Sequence, residues 1–444
     1  MFLVYSLLFG LGVVLTAPYY LWRMRGKILS AADWRERLGF LPAQFEPAAH
    51  SDAPRALWIH AVSVGETLAV SGLVQELQKE FPERRVFVSC VTRAGREVGE
   101  NRLPGVAGHF YLPLDLKSVV RRALDRVQPD LLLIVETELW PNLLRAAHEK
   151  GARVVLVNAR LSSRSFRGYR LARAFMRRIL NNVDWIGAQT AKDAERFIAL
   201  GAKPERVVIT GNLKFESRPP QAARLASHLR VALAGDGRGP VMIAASTMPG
   251  EEQMLLLAWN EIRGRHPRAL FILAPRHPNR FEEVDQLLSD RGRSFIRRTS
   301  LETNSQEFVR QLANPEILLL DTIGELAGIL ELADIVFVGG SLVPTGGHNL
   351  LEPAYWGKPI LFGPHMENFR DIAQAFLEAG AAVEIRNPRE LAQTVHTLLQ
   401  DDIGRKKMGD RARQLMEQGS GATQRTMEQL RIFLGVSMPT HTQI

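Results

Sequence analysis

Short apolar, β-branched runs alternate with longer stretches of helical periodicity from Arg55 onward, and this pattern narrows the fold of the 444-residue chain most sharply. The runs ALWIHAV, RRVFVSCV, GHFYLP, DLLLIVE, RVVLVNA, DWIGAQ and RVVIT form a first series. PVMIAAS, RALFILAP, RSFIRR, EILLLD, ADIVFVGG and KPILFG form a second. Near-continuous apolar runs belong to strands buried on both faces, so the pattern predicts parallel sheets covered by helices, an α/β class. The two series predict two doubly wound domains, which the length also suggests. Pro219 and Pro220, within NLKFESRPPQAA, mark a linker between them. No short sequence repeat relates the halves, so the duplication is one of architecture. The expected division is 1–22, 23–218 and 219–444, with the last helix packing back on the first domain. Two such domains facing one another leave a cleft lined by the carboxyl ends of both sheets, where ligands of such sheets bind.

A composition of 46% apolar and 23% charged residues argues against long disorder. The single cysteine, Cys90, has no partner for an intramolecular disulfide and sits in a buried-looking strand. A net charge of +9 favours an anionic partner: nucleic acid, a phosphorylated small molecule or an acidic membrane surface. Residues 1–22 hold no charged side chain, whereas Arg23, Arg25, Lys27, Arg35 and Arg37 follow them. That asymmetry predicts an uncleaved membrane anchor with the rest of the chain in the cytoplasm, and Tyr19, Tyr20 and Trp22 sit where an interfacial belt belongs. Pro18 interrupts the run, so a buried or interfacial helix is the alternative.

Polar residues cluster at the strand exits. In HAVSVGE, Ser63 and Glu66 have the spacing of a capping box. The same Glu66 at a helix start suits a general base, and both readings stand. LLLIVETELWPN puts Glu136 and Glu138 at a strand end; a helix cap accounts for Glu138, whereas a buried Glu136 needs a partner. Arg160, Arg164, Arg167, Arg170, Arg173, Arg177 and Arg178 recur mostly at three- and four-residue spacing, which predicts one broad basic helical face. That face is either simply solvated or a site for lipid phosphates. Lys214, Arg276 and His277 follow other strands, where cations suit phosphate or carboxylate groups. Ser246 and Gly250, and Ile323, Gly324 and Glu325, stand at helix starts whose backbone amides a ligand can approach. The segment GGSLVPTGGHNLLEP fits neither the dinucleotide nor the P-loop pattern. Gly346 and Gly347 permit an unusual backbone path, and Glu352 on the following helix suits a ribose diol.

Taken in order, HAVSVGE, VETELWPN, NARLS, LKF, PRHP, GGSLV and GGHNLLEP closely resemble the 3-deoxy-D-manno-octulosonic acid (Kdo) transferases of lipopolysaccharide synthesis, over nearly the whole chain. The resemblance implies a GT-B architecture, two Rossmann-like domains facing across a cleft, and inverting transfer of Kdo from CMP-Kdo to lipid IVA at the inner membrane. It implies no cofactor and no metal, and the absent DxD motif agrees. Glu66 would be the base, with Glu136 and Lys214 assisting the transition state. Pro275, Arg276, Ile323, Gly324, Glu325, Asn349, Leu350, Leu351 and Glu352 would hold CMP in the second domain. The first domain would bind the acceptor, with Arg160, Arg164, Arg167 and Arg170 contacting acceptor or membrane. Many relatives carry proline at the position of Leu350. The partners implied are CMP-Kdo, lipid IVA and an anionic cytoplasmic membrane surface, not nucleic acid. Two rival readings remain: another two-domain nucleotide-sugar transferase or epimerase, and a non-catalytic membrane-bound binding protein of the same fold.

Overall fold

The structure, a computed structural model, describes residues 1–23, 30–45, 55–216, 224–301 and 305–435. Arg25, Lys27 and the expected linker at Pro219 and Pro220 lie outside the described residues, as do the side chains of Tyr19, Tyr20, Trp22 and Arg23. The chain forms two compact units, Met1–Glu216 joined by the stretch from Gly419 onward, and Ser217–Gln418.

The first unit is built on a seven-stranded sheet of β1 (Ala56–His60), β2 (Val86–Cys90), β3 (Gly108–Tyr111), β4 (Pro129–Val135), β5 (Arg153–Ala159), β6 (Trp185–Ala188) and β7 (Val207–Ile209), in the order 3-2-1-4-5-6-7. Every neighbouring pair is parallel. β1 and β2 are buried along their whole length, which is why their sequences do not alternate. The helix Val64–Glu80 begins at Ser63 and buries Val70, Leu73, Val74 and Leu77 on the sheet. It stops at Phe81, whose conformation Pro82 restricts. On the other face Trp58, Phe45 and Phe110 meet with ring centroids 5.1 and 5.2 Å apart, each pair adding about 1 kcal/mol beyond area burial.

The second unit repeats the plan with β8 (Val241–Thr247), β9 (Leu270–Pro275), β10 (Phe295–Arg297), β11 (Ile317–Leu319), β12 (Ile335–Val338), β13 (Ile360–Phe362) and β14 (Ala382–Glu384), ordered 10-11-9-8-12-13-14. Its pairs are likewise parallel. All thirteen apolar runs named above form strands; β14 has no counterpart among them.

The carboxyl-terminal helix Ala422–Phe433 packs on the first unit. Ala422, Met427 and Leu430 join the core formed by Val70, Leu73 and Leu77. The Glu216 carboxylate accepts the Thr423 amide at 3.0 and 3.1 Å, and Arg431 forks onto Glu80 at 2.6 and 2.9 Å.

Two expectations change. The arginine-rich run is two helices, Ser163–Leu171 and Arg173–Leu180, because Ala172 leaves the helical conformation between them. The spanning anchor is not supported: among the described residues, no helix is long and apolar enough to cross a membrane. The first helix, Phe2–Arg23, instead commits one face to the first unit. Phe2 and Tyr5 pack on Phe175 at 5.6 and 5.9 Å, Phe9 on Trp140 at 6.4 Å, and Ser6 exchanges hydrogen bonds with Asn142.

Candidate active site

In the first unit the exits of β1 and β4 bring three carboxylates, Glu66, Glu136 and Glu138, into electrostatic contact, and the exit of β5 adds Arg160. Glu66 lies in the first turn of the helix after β1, half-buried. The Ser63 hydroxyl accepts the Glu66 amide at 3.4 Å, so the helix is capped. The carboxylate does not take the Ser63 amide as a capping box would; its Oε1 accepts the Ser63 hydroxyl at 3.3 Å and its Oε2 accepts the Val62 N–H at 2.5 Å. Burial pushes the Glu66 carboxyl up to about 7, against that N–H, and the charges of Glu136 and Glu138 push the same way. A carboxyl half ionised near neutrality is poised to exchange a proton.

Glu136 and Glu138 share this patch for a reason other than strand alternation. β4 ends at Val135, and Glu136 adopts a left-handed φ of 59°, a conformation that a non-glycine residue keeps only when its surroundings enforce it. Its amide donates to the Val157 carbonyl at 2.9 Å, and its carboxylate pairs with Lys214 Nζ at 2.9 Å and Arg160 Nε at 3.5 Å. Glu138 caps nothing: the next helix, Pro141–Glu149, starts without a side-chain cap. Burial and then Glu136 raise its carboxyl above the ordinary range. Arg164, Arg167 and Arg170 are exposed on Ser163–Leu171, whose Tyr169 senses the Glu138 charge.

Lys214 sits in the turn Leu213–Glu216. Two residues that sequence reasoning passed over hold that turn. Asn158 is fully buried with φ 54°, and its Oδ1 accepts the Leu213 amide at 3.0 Å. Asn212 Oδ1 accepts the Lys214 amide at 3.0 Å. Asn158 lies inside the quoted NARLS; only its preference for left-handed backbone at a strand end signals it.

In the second unit, Pro275 ends β9 beside Thr247, and the Arg276 amide donates to the Thr247 carbonyl at 3.0 Å. The glycine-rich segment folds back on itself, Gly347 N donating to Gly340 O at 2.7 Å, with Gly346 and Gly347 both at positive φ. The strut beneath it is Glu251, fully buried, whose carboxylate accepts the amides of Met248, Gly340, Ser341 and Leu342 at 2.6–2.9 Å. Arg276 and His277 lie near His348, and their charges, after burial, hold that imidazole neutral, its pKa down at about 4. Asn349 Oδ1 takes the Leu351 amide at 3.1 Å while its Nδ2 reaches Glu352 at 3.3 Å. Leu350 and Leu351 are core side chains, so only their backbone is available to a ligand. Gly324 is at φ 92° and Ile323 is exposed, whereas the Glu325 carboxylate is engaged by Arg298 at 3.0 Å and by the Thr322 hydroxyl at 2.5 Å. Among the described residues no group of three or more His, Cys, Asp or Glu side chains is placed to hold a metal ion.

A family model described as 3-deoxy-D-manno-octulosonic-acid transferase (kdotransferase) matches residues 32–217. The 3-deoxy-D-manno-octulosonic acid transferase of Haemophilus influenzae is 34% identical over 383 residues, covering 86% of this chain and 88% of the relative. That of Bordetella pertussis is 35% identical over 428 residues, covering 94% and 96%. Among solved structures, a UDP-GlcNAc 2-epimerase from Neisseria meningitidis bound to UDP-GlcNAc has a TM-score of 0.55 at 14% identity, covering 85% of this chain and 99% of that one. That likeness is one of fold, the two-domain α/β plan shared with GT-B enzymes.

Proposed function

Since the chain belongs to the 3-deoxy-D-manno-octulosonic acid transferase family and is a glycosyltransferase of Kdo, we propose that it moves Kdo from CMP-Kdo to lipid IVA with inversion at the anomeric carbon. The observation that carries this reading is Glu66, a half-buried carboxyl raised to about 7 at a strand exit. The acceptor hydroxyl oxygen bonds to the anomeric carbon as that carbon's bond to the phosphate oxygen breaks. The bonding pair leaves with CMP, and Glu66 takes the hydroxyl proton. The paired Lys214 and Glu136 sit beside that base and steady the charge that develops.

The second unit supplies donor recognition in this reading. Arg276 meets the CMP phosphate, the backbone of Ile323 to Glu325 and of Asn349 to Glu352 frames the nucleotide, and Glu352 suits the ribose hydroxyls. Pro275 fixes the strand end from which Arg276 projects. These cations and amides meet the leaving-group charge without a divalent ion, so the rate in excess chelator should equal the rate without it. Lipid IVA is an anionic amphiphile, which suits Arg160, Arg164, Arg167 and Arg170 and places the reaction at the cytoplasmic face of the inner membrane.

The test is to incubate the purified full chain with CMP-Kdo and lipid IVA and weigh the product by mass spectrometry. A product heavier by one or more Kdo units is expected. Turnover of a UDP-sugar with none of CMP-Kdo would overturn the reading.

A further inference from the structure

The last helix, Ala422–Phe433, has no cap of its own, because the residue at its N-cap position is Gly421. The acceptor comes from elsewhere: both carboxylate oxygens of Glu216 take the Thr423 amide, at 3.0 and 3.1 Å. A carboxylate at that place also meets the positive end of the helix dipole. Glu216 closes the turn Leu213–Glu216, and that turn carries Lys214. The start of the last helix and the lysine turn are thus one joint.

The other residues of the turn lean on the same helix start. Leu213 is buried in a core that includes Ala422. The Phe215 ring lies so close to Gly419 that a Cβ there would come within 2.5–2.9 Å of it. Just before the turn, Arg425 Nε donates to the Thr210 carbonyl at 2.7 Å, while its Nη2 donates to the Ser420 carbonyl at 3.0 Å. Lys214 sends its side chain to Glu136 instead, Nζ donating to Oε1 at 2.9 Å. A short 3₁₀ turn has poor hydrogen-bond geometry of its own, so contacts from outside decide where it sits. A lysine is a point charge on a flexible stem, and its ammonium is placed only as well as the backbone beneath it.

We infer that Glu216, Gly419 and Arg425 are positioning residues for the transfer reaction: the start of the last helix holds the Lys214 backbone in register with Glu136. This rests on the proposed role of Lys214 in meeting the charge that develops. A misplacement of about 1 Å at such a group lowers a rate by about 10²-fold, so the joint has catalytic as well as structural weight.

Glu216→Ala, Gly419→Ala and Arg425→Ala in the full chain test this. Leu430 and the Arg431–Glu80 pair keep the far end of the helix docked, so each variant should fold, checked by circular dichroism. Alanine is the better helix former at position 419, so a loss there comes from the Phe215 contact. With CMP-Kdo and lipid IVA, each variant should lower kcat about tenfold to 10²-fold and leave KM for CMP-Kdo within about twofold. Glu216→Gln keeps an acceptor for the Thr423 amide and should restore most of the rate. Leu430→Ala, which loosens the same helix at its other end, should lower Tm and leave kcat unchanged. In a Lys214→Ala background, Glu216→Ala should bring no further loss. An equal fold-loss in both backgrounds, or a kcat as low in Leu430→Ala as in Glu216→Ala, would overturn the proposal and leave the helix a support of the fold.

Acetic anhydride gives a readout that needs no substrate. The Lys214 side chain is 18% exposed while paired, so its acetylation relative to the exposed Lys203 should rise severalfold in Glu216→Ala and Arg425→Ala, read by peptide mass spectrometry. Unchanged labelling in both would overturn the positioning even if transfer fell. A wild type that transfers no Kdo, with labelling that rises as expected, would sink the functional reading and leave the coupling of helix to turn standing.

Discussion

At the scale of single residues, Glu66 ties conformation to chemistry. Its carboxyl is pushed up to about 7 because burial, with two neighbouring carboxylates, outweighs the Val62 N–H and the Ser63 hydroxyl. A base works only when ionised, so the transfer rate should rise with pH through about 7 and then level. Glu66→Gln should flatten that limb and lower the rate about 10²–10⁴-fold with CMP affinity unchanged, read by steady-state assay and calorimetry. The sign for stability is opposite. A carboxyl raised on folding contributes stability that is present below its unfolded value, near 4.5, and lost as pH rises through about 7. Glu66→Gln should therefore raise Tm relative to wild type at pH 8 and leave it level at pH 4. Asn158 acts through Lys214. Asn158→Ala removes the acceptor of a buried amide and puts alanine at left-handed φ, so it should destabilise the chain by about 1–3 kcal/mol in denaturant melts. It should lower kcat more than it changes KM for the donor. Glu66 was legible because one motif carries it, whereas Asn158 meets Leu213 across 55 positions and leaves no local pattern.

Elements were legible where apolar runs were long. β4 and β8, seven residues each, stand out in the sequence. β14 does not: it is as short as the edge strands β7 and β10, but its residues Ala382 and Glu384 are weak strand formers around a single Val383. The arginine-rich run was misread as one helix because side-chain spacing carries no information about the break at Ala172. The glycine-rich loop is a similar case: its glycines announce a turn, but the strut that shapes it, Glu251, lies 89 to 91 positions away. Glutamine offers one acceptor oxygen where the carboxylate offers two. Glu251→Gln should therefore leave loop amides unpaired, cost about 1–3 kcal/mol in thermal melts of the full chain, and weaken CMP binding measured by calorimetry. Unchanged CMP affinity would mean that the loop is not part of the nucleotide site.

On the scale of the whole molecule, alternation and length gave two α/β units, whereas the spanning anchor is not supported, since among the described residues no helix is long and apolar enough to cross a membrane. The first helix is apolar enough to suggest an anchor, yet aromatic contacts tie it to the first unit. The return of the chain's end is energetic as well as topological. Leu430 is fully buried in the core shared with Leu73 and Leu77, so Leu430→Ala should cost about 2–5 kcal/mol, read as a lowered melting transition of the first unit. The bond from Glu216 to Thr423 joins residues 207 positions apart, and the second unit is strung between them. On a ribosome adding about 5–20 residues per second, that interval lasts about 10–40 s. The first unit is thus the earlier to be synthesised and the later to be finished, its core waiting for the last helix to emerge, a window in which a chaperone has something to hold.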